Sequence, residues 1–343
     1  MRIVTYNVEW FNSLFDDDGR LIDDAALSGR RDVTRHQQIA ALGVVFAALD
    51  GDAVLVVEAP DQSRRRSCVR ALEGFAHRFG LRANRALIGF ASDSQQEIAL
   101  LYDPAALSVI HDPQGEPTGK RGSENAPRFD GVFRIDLDLD GTPELVTFAR
   151  PPLELLIETI SGKILRMIGV HVKSKAPHGA RGPDEGLRLS IENRRKQYAQ
   201  CLWLRQRIDD HIAAGDPLIV LGDFNDGPGL EEFEHLFSRS AVDIVLGWDR
   251  APKARLYDHH ARLALANRTA AAPVSARFLM PDEQHYFSAL LDYIMISEDL
   301  RQHQPVWRIW YPFDDAGCYG DPLLREALLL ASDHFPVSLD LVI

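Results

Sequence analysis

Apolar runs rich in valine, isoleucine and leucine recur along the whole chain, and their length and composition predict β-strands. The predicted strands cover residues 3–6, 53–58, 98–102, 132–139, 164–172, 218–221, 291–296 and 337–342. Two longer segments, Arg35–Leu49 and 190–212, place their apolar residues on one helical stripe. Gly215 follows the second segment and is typical of a helix C-cap.

Strands and helices that alternate in this way favour an α/β fold with more than one sheet layer. The Pro- and Gly-rich stretches 111–127, 177–186 and 226–229 predict surface loops, whereas the alanine-rich segment 251–281 leaves its structure open. No repeat or low-complexity linker interrupts the pattern. We therefore expect residues 1–343 to form a single domain, although the length alone also permits two.

Composition restricts the compartment and the partners only mildly. Basic residues number 38 against 50 acidic ones, so the net charge of −12 does not suggest a general polyanion binder. The N-terminus lacks the pattern of a targeting peptide, and the longest apolar run, 39–49, is too short to span a bilayer. Cys68, Cys201 and Cys318 show no metal or redox spacing, which predicts buried thiols. We expect a cytoplasmic protein without an obligate protein partner.

Several predicted strands end in polar residues that suit phosphoester chemistry. Asn7 and Glu9 lie two apart at the end of the first strand, and Glu58 follows four apolar residues at the end of the second. Carboxylate and amide oxygens are ligands for a hard divalent cation such as Mg²⁺. His171 with Lys173 ends a later strand and adds an imidazole and a cation for phosphate charge.

The sharpest signal is the motif Leu-Gly-Asp-Phe-Asn-Asp that follows the apolar strand 218–221. Asp223 and Asn225 present a carboxylate that can orient or deprotonate a water and an amide that can hold it. Near the C-terminus, Asp333 and His334 precede the last strand, and Asp292 is suited to orient the His334 ring. These residue types together indicate a metal-dependent hydrolase of phosphate esters.

The ordered set from Asn7 to His334 resembles the endonuclease/exonuclease/phosphatase superfamily, and the resemblance covers the whole chain. It implies a four-layer α/β sandwich of two packed mixed β-sheets flanked by helices, as in DNase I-like proteins, with the site at one edge. It also implies the following roles: Mg²⁺ or Mn²⁺ held by Asn7, Glu9 and Glu58 with Asp333; water positioned or deprotonated by Asp223; phosphate bound by Asn225, His171 and His334; His334 oriented by Asp292; and Glu97 paired with His171.

The chain departs from two subfamilies. Asp226-Gly227 follows the Asp-x-Asn motif where inositol phosphatases continue with Tyr-Arg, and Asp292 is preceded by Ala-Leu-Leu rather than by the Trp-Cys of the lipid-phosphatase motif. The leading hypothesis is a phosphodiesterase acting as a nuclease. The alternatives are a hydrolase of phosphomonoesters, phospholipids or sugar phosphates, and a catalytically silent binding protein.

A local basic stretch favours a polyanionic substrate despite the acidic chain. Seven Lys or Arg against three acids lie between Lys173 and Lys196, a net charge of +4. Local charge near a cleft governs the capture of a charged substrate more than total charge does. We therefore expect Lys173, Arg194 and Arg195 to bind a phosphate ester, with nucleic acid as the leading candidate.

Overall fold

Two mixed β-sheets form the centre of the computed structural model, which describes residues 1–137, 141–177, 179–227, 239–266, 272–280 and 285–343. In chain order the strands are β1 (Arg2–Asn7), β2 (Ala53–Ala59), β3 (Arg85–Ile88), β4 (Glu97–Tyr102), β5 (Leu107–His111), β6 (Phe133–Ile135), β7 (Glu144–Val146), β8 (Leu153–Thr159), β9 (Ile164–His171), β10 (Leu218–Asp223), β11 (Ala276–Met280), β12 (His285–Ala289), β13 (Asp292–Ile296), β14 (Val306–Ile309) and β15 (Val337–Asp340).

The first sheet has the order β14-β15-β1-β2-β4-β3 and the second has the order β13-β10-β9-β8-β5. Each sheet contains one parallel pair, β1 with β2 and β9 with β10, and its other pairs are antiparallel. Parallel neighbours end at the same edge of a sheet, so each sheet delivers the ends of two strands to one rim. Strands β6 and β7 form one small ribbon, and β11 and β12 form another.

Helices cover the outer face of each sheet. They are α1 (Arg35–Leu49), α2 (Cys68–Arg78), α3 (Pro183–Ala214), α4 (Ala241–Leu246), α5 (His259–Ala266), α6 (Ala316–Gly320) and α7 (Pro322–Ala331), with 3₁₀ turns at Phe11–Leu14, Pro252–Ala254 and Glu298–His303. Helices α1, α2 and α7 share a core with β1 and β2, and α3, α4 and α5 share another with β9, β10 and β13. The predicted four-layer α/β sandwich of two packed sheets is confirmed.

The two sheets pack face to face through a third apolar core. Ile3 and Leu55 from the first sheet and Leu221 and Ile294 from the second belong to it, and all four are buried. Because side chains alternate along a strand, every second residue points into this layer. The residues at the strand ends on the same face therefore lie at the mouth of the gap between the sheets.

The strongest sequence patterns are confirmed. Helix α1 has the predicted bounds Arg35–Leu49, and a capping box at Thr34 explains its start. Gly215 caps α3 with a φ of 77°, as expected. All eight predicted strands correspond to observed ones, although the strand predicted over 132–139 is limited to Phe133–Ile135, and residues 138–140 lie outside the described residues.

Other predictions need correction. Helix α3 starts at Pro183, inside the predicted loop 177–186, because Pro at the first turn followed by Asp184 and Glu185 is a strong helix start. His178 of that loop, and Pro228 and Gly229 of the predicted loop 226–229, lie outside the described residues. The open segment 251–281 contains α5 and β11, with residues 267–271 and 281 outside the description.

The three cysteines are free and buried, as predicted, and the compartment stays a prediction. Within the described ranges, no helix is both long enough and apolar enough to cross a membrane.

Candidate active site

Three functional side chains form one row across the second sheet. His171 ends β9, Asp223 ends β10 and Asp292 begins β13, and the strand register pairs Asp223 with both of the others. Directly paired residues on neighbouring strands point to the same face of a sheet. Because Leu221 lies two residues before Asp223 and belongs to the layer between the sheets, the row lies at the mouth of that layer.

The first sheet meets this row through Asn7, the last residue of β1. Its amide nitrogen donates to Asp223 Oδ2 over 3.0 Å, which connects the two sheets. Its Oδ1 is buried and accepts no hydrogen bond from the described residues. Ser332 fixes the strand end, because its hydroxyl donates to the Asn7 carbonyl over 2.8 Å. An oxygen held in place without a donor suits a cation ligand.

A β-bulge aims Glu58 into the same cavity. Simple alternation would direct Glu58 to the helix-covered face, together with Val54 and Val56 of β2. The register between β2 and β4 shifts after Val57, and Glu58 adopts a φ of 60° in the left-handed region. Such a bulge re-aims a side chain, and Glu58 lines the cavity. Burial raises the pKa of its carboxyl to about 7.

Asp223 is held in one orientation by amide donors. Its Oδ1 accepts the Asn225 backbone N–H over 2.7 Å, and its Oδ2 accepts the Asn225 side-chain amide over 3.1 Å. Asn225 adopts a φ of 50°, which asparagine tolerates better than most residues. Gly222 allows the close approach of β9, because a Cβ there would lie 2.0 Å from the Val170 carbonyl oxygen. Burial raises the pKa of Asp223 to about 6, which suits a proton acceptor near neutrality.

His334 forms a dyad with Asp292, as the resemblance implied. His334 Nδ1 lies 2.8 Å from Asp292 Oδ2, and the same oxygen accepts the Ser275 hydroxyl over 2.8 Å. The Ser275 oxygen in turn accepts the backbone N–H groups of Leu291 and Asp292. Asp292 is therefore fixed from two sides, and it fixes the ring of His334.

The two histidines of the site have opposite pKa shifts. Burial and the nearby Arg150 guanidinium hold the pKa of His171 well below its usual value. Burial also acts to lower the pKa of His334, but the carboxylates of Asp292, Asp223 and Asp333 together outweigh it, and the pKa is raised well above the usual value. A neutral imidazole and an imidazolium thus face one cavity, an arrangement that separates acid and base roles. His171 Nε2 lies 3.5 Å from Asp223 Oδ2.

The expected role of Glu9 as a metal ligand stays a prediction, because its carboxylate already has protein partners. One carboxylate oxygen pairs with the Arg30 guanidinium, and the other accepts the Trp10 indole N–H over 2.9 Å. Both oxygens therefore already have donors, although Glu9 lines the cavity. Asp333 also lines the cavity, where its carboxylate accepts no hydrogen bond from any described residue.

The expected pairing of Glu97 with His171 is wrong. Glu97 is buried at the start of β4, and its two oxygens accept the backbone N–H groups of Gln62 and Ser92 over 3.2 and 3.0 Å. Among the described residues, His171 Nε2 has Glu58, at 4.0 Å, and Asp223 as its carboxylate neighbours. Glu97 therefore stabilises the loops that follow β2 and precede β4.

The basic stretch is partly neutralised within the fold. Arg194 is only 2 % exposed, and its guanidinium pairs with Asp226 Oδ2 over 3.1 Å. Lys175 pairs with the other oxygen of Asp226 over 2.6 Å, and Arg195 pairs with Glu144. Lys173 lines the cavity as expected and has no ion pair within the described ranges. Arg194 nevertheless lines the cavity, and the expected contact of Arg194 and Arg195 with phosphate stays a prediction.

Sequence reasoning missed three contributors to the cavity. Arg150, in the connection between β7 and β8, is a largely buried guanidinium that interacts with the charges of Glu58 and Asp223. Ser275 supports Asp292, as described above. The β11–β12 hairpin adds the apolar wall formed by Phe278, Met280 and Phe287. An isolated Arg-Pro-Pro and an alanine-rich segment carried no sequence signal for these roles.

The cavity has a volume of about 950 Å³ and combines a charged floor with that apolar wall. Asp223, Asp292 and His334 offer ligand atoms within 4.8 Å of one another, so this buried group could hold a metal ion. The free oxygens of Asn7 and Glu58 form a second, carboxylate-and-amide set, which matches the preference of a hard cation for oxygen.

Comparison with known proteins places this site within one family. The model of the Endonuclease/Exonuclease/phosphatase family matches residues 4–334, a span that includes every residue of the site from Asn7 to His334. No curated protein matches the chain.

Among solved structures, the chain is similar to TDP2 from Caenorhabditis elegans, with 14 % identity, a TM-score of 0.49, and 99 % of this chain and 73 % of that chain covered. It is similar to an endonuclease/exonuclease/phosphatase from Bacteroides vulgatus, with 15 % identity, a TM-score of 0.49, and 99 % and 98 % covered. It is also similar to the human Nocturnin catalytic domain with bound sulfate anion, with 14 % identity, a TM-score of 0.45, and 99 % and 93 % covered.

Proposed function

The chain belongs to the endonuclease/exonuclease/phosphatase family, and on that premise we propose that it hydrolyses phosphodiesters with the help of Mg²⁺ or Mn²⁺. Members of this family are phosphoesterase hydrolases that depend on divalent metal ions. The observation that carries the proposal is the convergence of Asn7, Glu58, Asp223 and the Asp292–His334 dyad on one cavity.

Asn7 and Glu58 would hold the ion, and Asp333 lines the same cavity. Two features support this choice: Asn7 Oδ1 is buried without a donor, and the Glu58 carboxylate accepts no hydrogen bond from the described residues. The group of Asp223, Asp292 and His334 is a weaker choice: Asp292 Oδ1 is buried without a donor, but both oxygens of Asp223 already accept amide N–H groups and the pKa of His334 is raised well above its usual value. When bound, the ion would neutralise phosphate charge and favour attack by water.

Asp223 is the group that would orient the attacking water and accept its proton. Its carboxylate is held by Asn7 and Asn225, so little reorganisation is needed during the reaction. The pKa of about 6 keeps a useful fraction of the carboxylate ionised at neutral pH while leaving it basic enough to take a proton. The neutral imidazole of His171 lies beside this carboxylate, with its Nε2 3.5 Å from Asp223 Oδ2.

Cationic donors would stabilise the charge that develops on the phosphoryl oxygens. His334 is oriented by Asp292 and remains protonated, so it can donate to a non-bridging oxygen or to the leaving oxygen. Arg150 and Lys173 line the same cavity and add positive charge in a partly dehydrated setting. Asn225 lines the cavity too, but its side-chain amide already donates to Asp223 Oδ2 and to the Val172 carbonyl, so it acts by holding Asp223.

Among phosphodiesters, nucleic acid is the substrate that we propose, as the sequence suggested. The second candidate is a small phosphate ester, which is favoured by the pairing of Arg194 and Arg195 with acidic partners. A surface with fewer unpaired cations can neutralise fewer phosphates of a long nucleic-acid backbone.

The test compares bis(p-nitrophenyl) phosphate with p-nitrophenyl phosphate, each with Mn²⁺, with Mg²⁺ and with EDTA. We expect turnover of the diester that is lost in EDTA and restored by excess metal. Unchanged turnover in chelator would refute the metal assignment, and hydrolysis of the monoester alone would favour the phosphomonoesterase. Hydrolysis of neither compound, or of any nucleic acid, would favour the binding protein.

A further inference from the structure

The β11–β12 hairpin is built into the active site rather than attached to the surface. The Arg277 N–H donates to the Asp333 carbonyl over 2.7 Å, and the Phe335 N–H donates to the Ser275 carbonyl over 2.6 Å. Ala276 forms an isolated bridge with His334. The backbone on both sides of the dyad histidine is therefore hydrogen-bonded to the hairpin, which fixes the position of the hairpin's side chains relative to the reacting group.

The hairpin presents an apolar face to the cavity. Phe278 and Phe287 are directly paired across the two strands, and Met280 lies two residues beyond Phe278 on the same face. All three line the cavity, although Phe287 remains 40 % exposed. The Phe278 ring lies 5.4 Å from the His334 ring at an interplanar angle of 72°. An apolar surface therefore begins beside the proposed phosphate position.

The opposite face of the hairpin has a different environment. Arg277 stacks against Tyr286, with its guanidinium 4.5 Å from the ring centroid, and against Phe313 at 4.7 Å. Neither Arg277 nor Tyr286 lines the cavity. Because side chains alternate along a strand, Phe278 and Phe287 lie on the face that lines the cavity, and Arg277 and Tyr286 lie on the opposite face.

The charges of the cavity suit one phosphate better than a row of them. Four basic side chains line it, namely Arg150, Lys173, Lys175 and Arg194. Lys175 and Arg194 both pair with the buried carboxylate of Asp226. Among the described residues, Arg150 and Lys173 are the cavity cations that lack an ion-pair partner. The volume of about 950 Å³ leaves room for a substituent beside the phosphate.

We propose that the wall of Phe278, Met280 and Phe287 is a subsite for an unstacked nucleobase next to the scissile phosphodiester. This rests on the proposed function and names its substrate class: a nucleotide-sized or single-stranded nucleic-acid phosphodiester rather than an intact duplex. The flat face of a phenyl ring is a surface on which a base can stack, and stacking tolerates every base. A base paired within a duplex has no free face to offer, so it would need to leave the helix first.

The experiment compares three substrates that share one leaving group and differ in the retained group. They are the p-nitrophenyl phosphodiesters of thymidine (through its 5′ oxygen), n-hexanol and methanol, assayed with Mn²⁺. We expect kcat/KM for the thymidine diester to exceed that of the methyl diester by about tenfold to a hundredfold, the range expected for base–aromatic stacking. In Phe278→Ala and Phe287→Ala, this ratio should fall towards one.

Tyr286→Ala is the matched control, since it removes an aromatic ring from the outer face of the same hairpin and should keep the ratio of the wild type. Hydrolysis of the methyl diester reports folding and basal chemistry in each variant, so a misfolded variant is recognised by loss of that activity. If Phe278→Ala misfolds, Phe287→Ala decides the test, because Phe287 is the more exposed of the two side chains. A wild-type ratio near one, or a ratio unchanged in both cavity variants, overturns the subsite. A hexyl diester preferred over the thymidine diester overturns it in favour of an alkyl group. No hydrolysis of any of the three refutes the proposed function itself.

Discussion

Replacing Glu58 by Gln tests the metal site through the stability of the folded protein. The Glu58 carboxylate is buried and accepts no hydrogen bond from the described residues, and burial raises its pKa from 4.5 to about 7. Its charge is therefore unfavourable in the metal-free folded protein. Glu58→Gln keeps the shape of the side chain and removes the charge, so it should stabilise the metal-free protein while weakening metal binding.

The size of the effect follows from the two pKa values. Because the folded protein holds the Glu58 proton more tightly than the unfolded chain does, its free energy of unfolding falls as pH rises from 4.5 to about 7. Complete ionisation costs about 3 kcal/mol. The buried amide of the variant is itself partly desolvated, so we expect a net gain of about 2 kcal/mol at pH 8. Near pH 5 the gain should be below about 1 kcal/mol.

The assay is urea unfolding in EDTA at pH 5 and pH 8, followed by the same measurement in excess Mg²⁺ or Mn²⁺. Metal should stabilise the wild type and have much less effect on the variant, because a ligand that binds only the folded state stabilises it by mass action. Glu116→Gln, at an exposed carboxylate, is the control and should change neither result. Equal metal stabilisation of both proteins, or a variant no more stable than the wild type at pH 8 in EDTA, would refute the reasoning.

Three further outcomes are expected. Asp223→Asn and His334→Ala should each lower kcat by about a hundredfold or more with folding retained, and a circular dichroism spectrum matched to wild type with activity within about tenfold would contradict the assigned roles. Arg194→Ala should lower the free energy of unfolding by about 1.5–3 kcal/mol, because the buried Asp226 carboxylate loses one of its two cationic partners and keeps Lys175; unchanged stability with a flatter salt dependence of cleavage would show instead that this residue contacts phosphate. Ser275→Ala should lower kcat by about fivefold to thirtyfold through the loss of one hydrogen bond to the dyad, whereas Ser288→Ala on the outer face of the hairpin should not; equal kinetics for both variants would contradict a positioning role.

The sequence by itself identified most strands and two of the helices, together with the polar residues at the strand ends. These features are local: a buried strand needs a short run of apolar residues, and helix α1 is defined by its stripe and cap. The chemistry of Asn7, Asp223 and His334 could be predicted because each directly follows or precedes such a run. Their order along the chain was enough to indicate the family that the comparison then established.

Only the tertiary structure decided which charges face each other. Glu97 turned out to accept two loop amides instead of pairing with His171, and Arg194 lines the cavity with its guanidinium paired to Asp226. The bulge at Glu58 and the buried guanidinium of Arg150 also lacked a local signal.

The physical reason is that such pairings depend on strand register and on contacts between residues far apart in sequence. Local periodicity says which side of an element is apolar, but not which distant carboxylate will neutralise a given cation. The β11–β12 hairpin shows the same limit. Side chains alternate between its two faces, but only the contacts of Ser275 with Asp292 and of Ala276 with His334 show which face lines the cavity. The sequence alone therefore indicated the chemistry of the site, and the long-range packing determined its charge balance and its apolar wall.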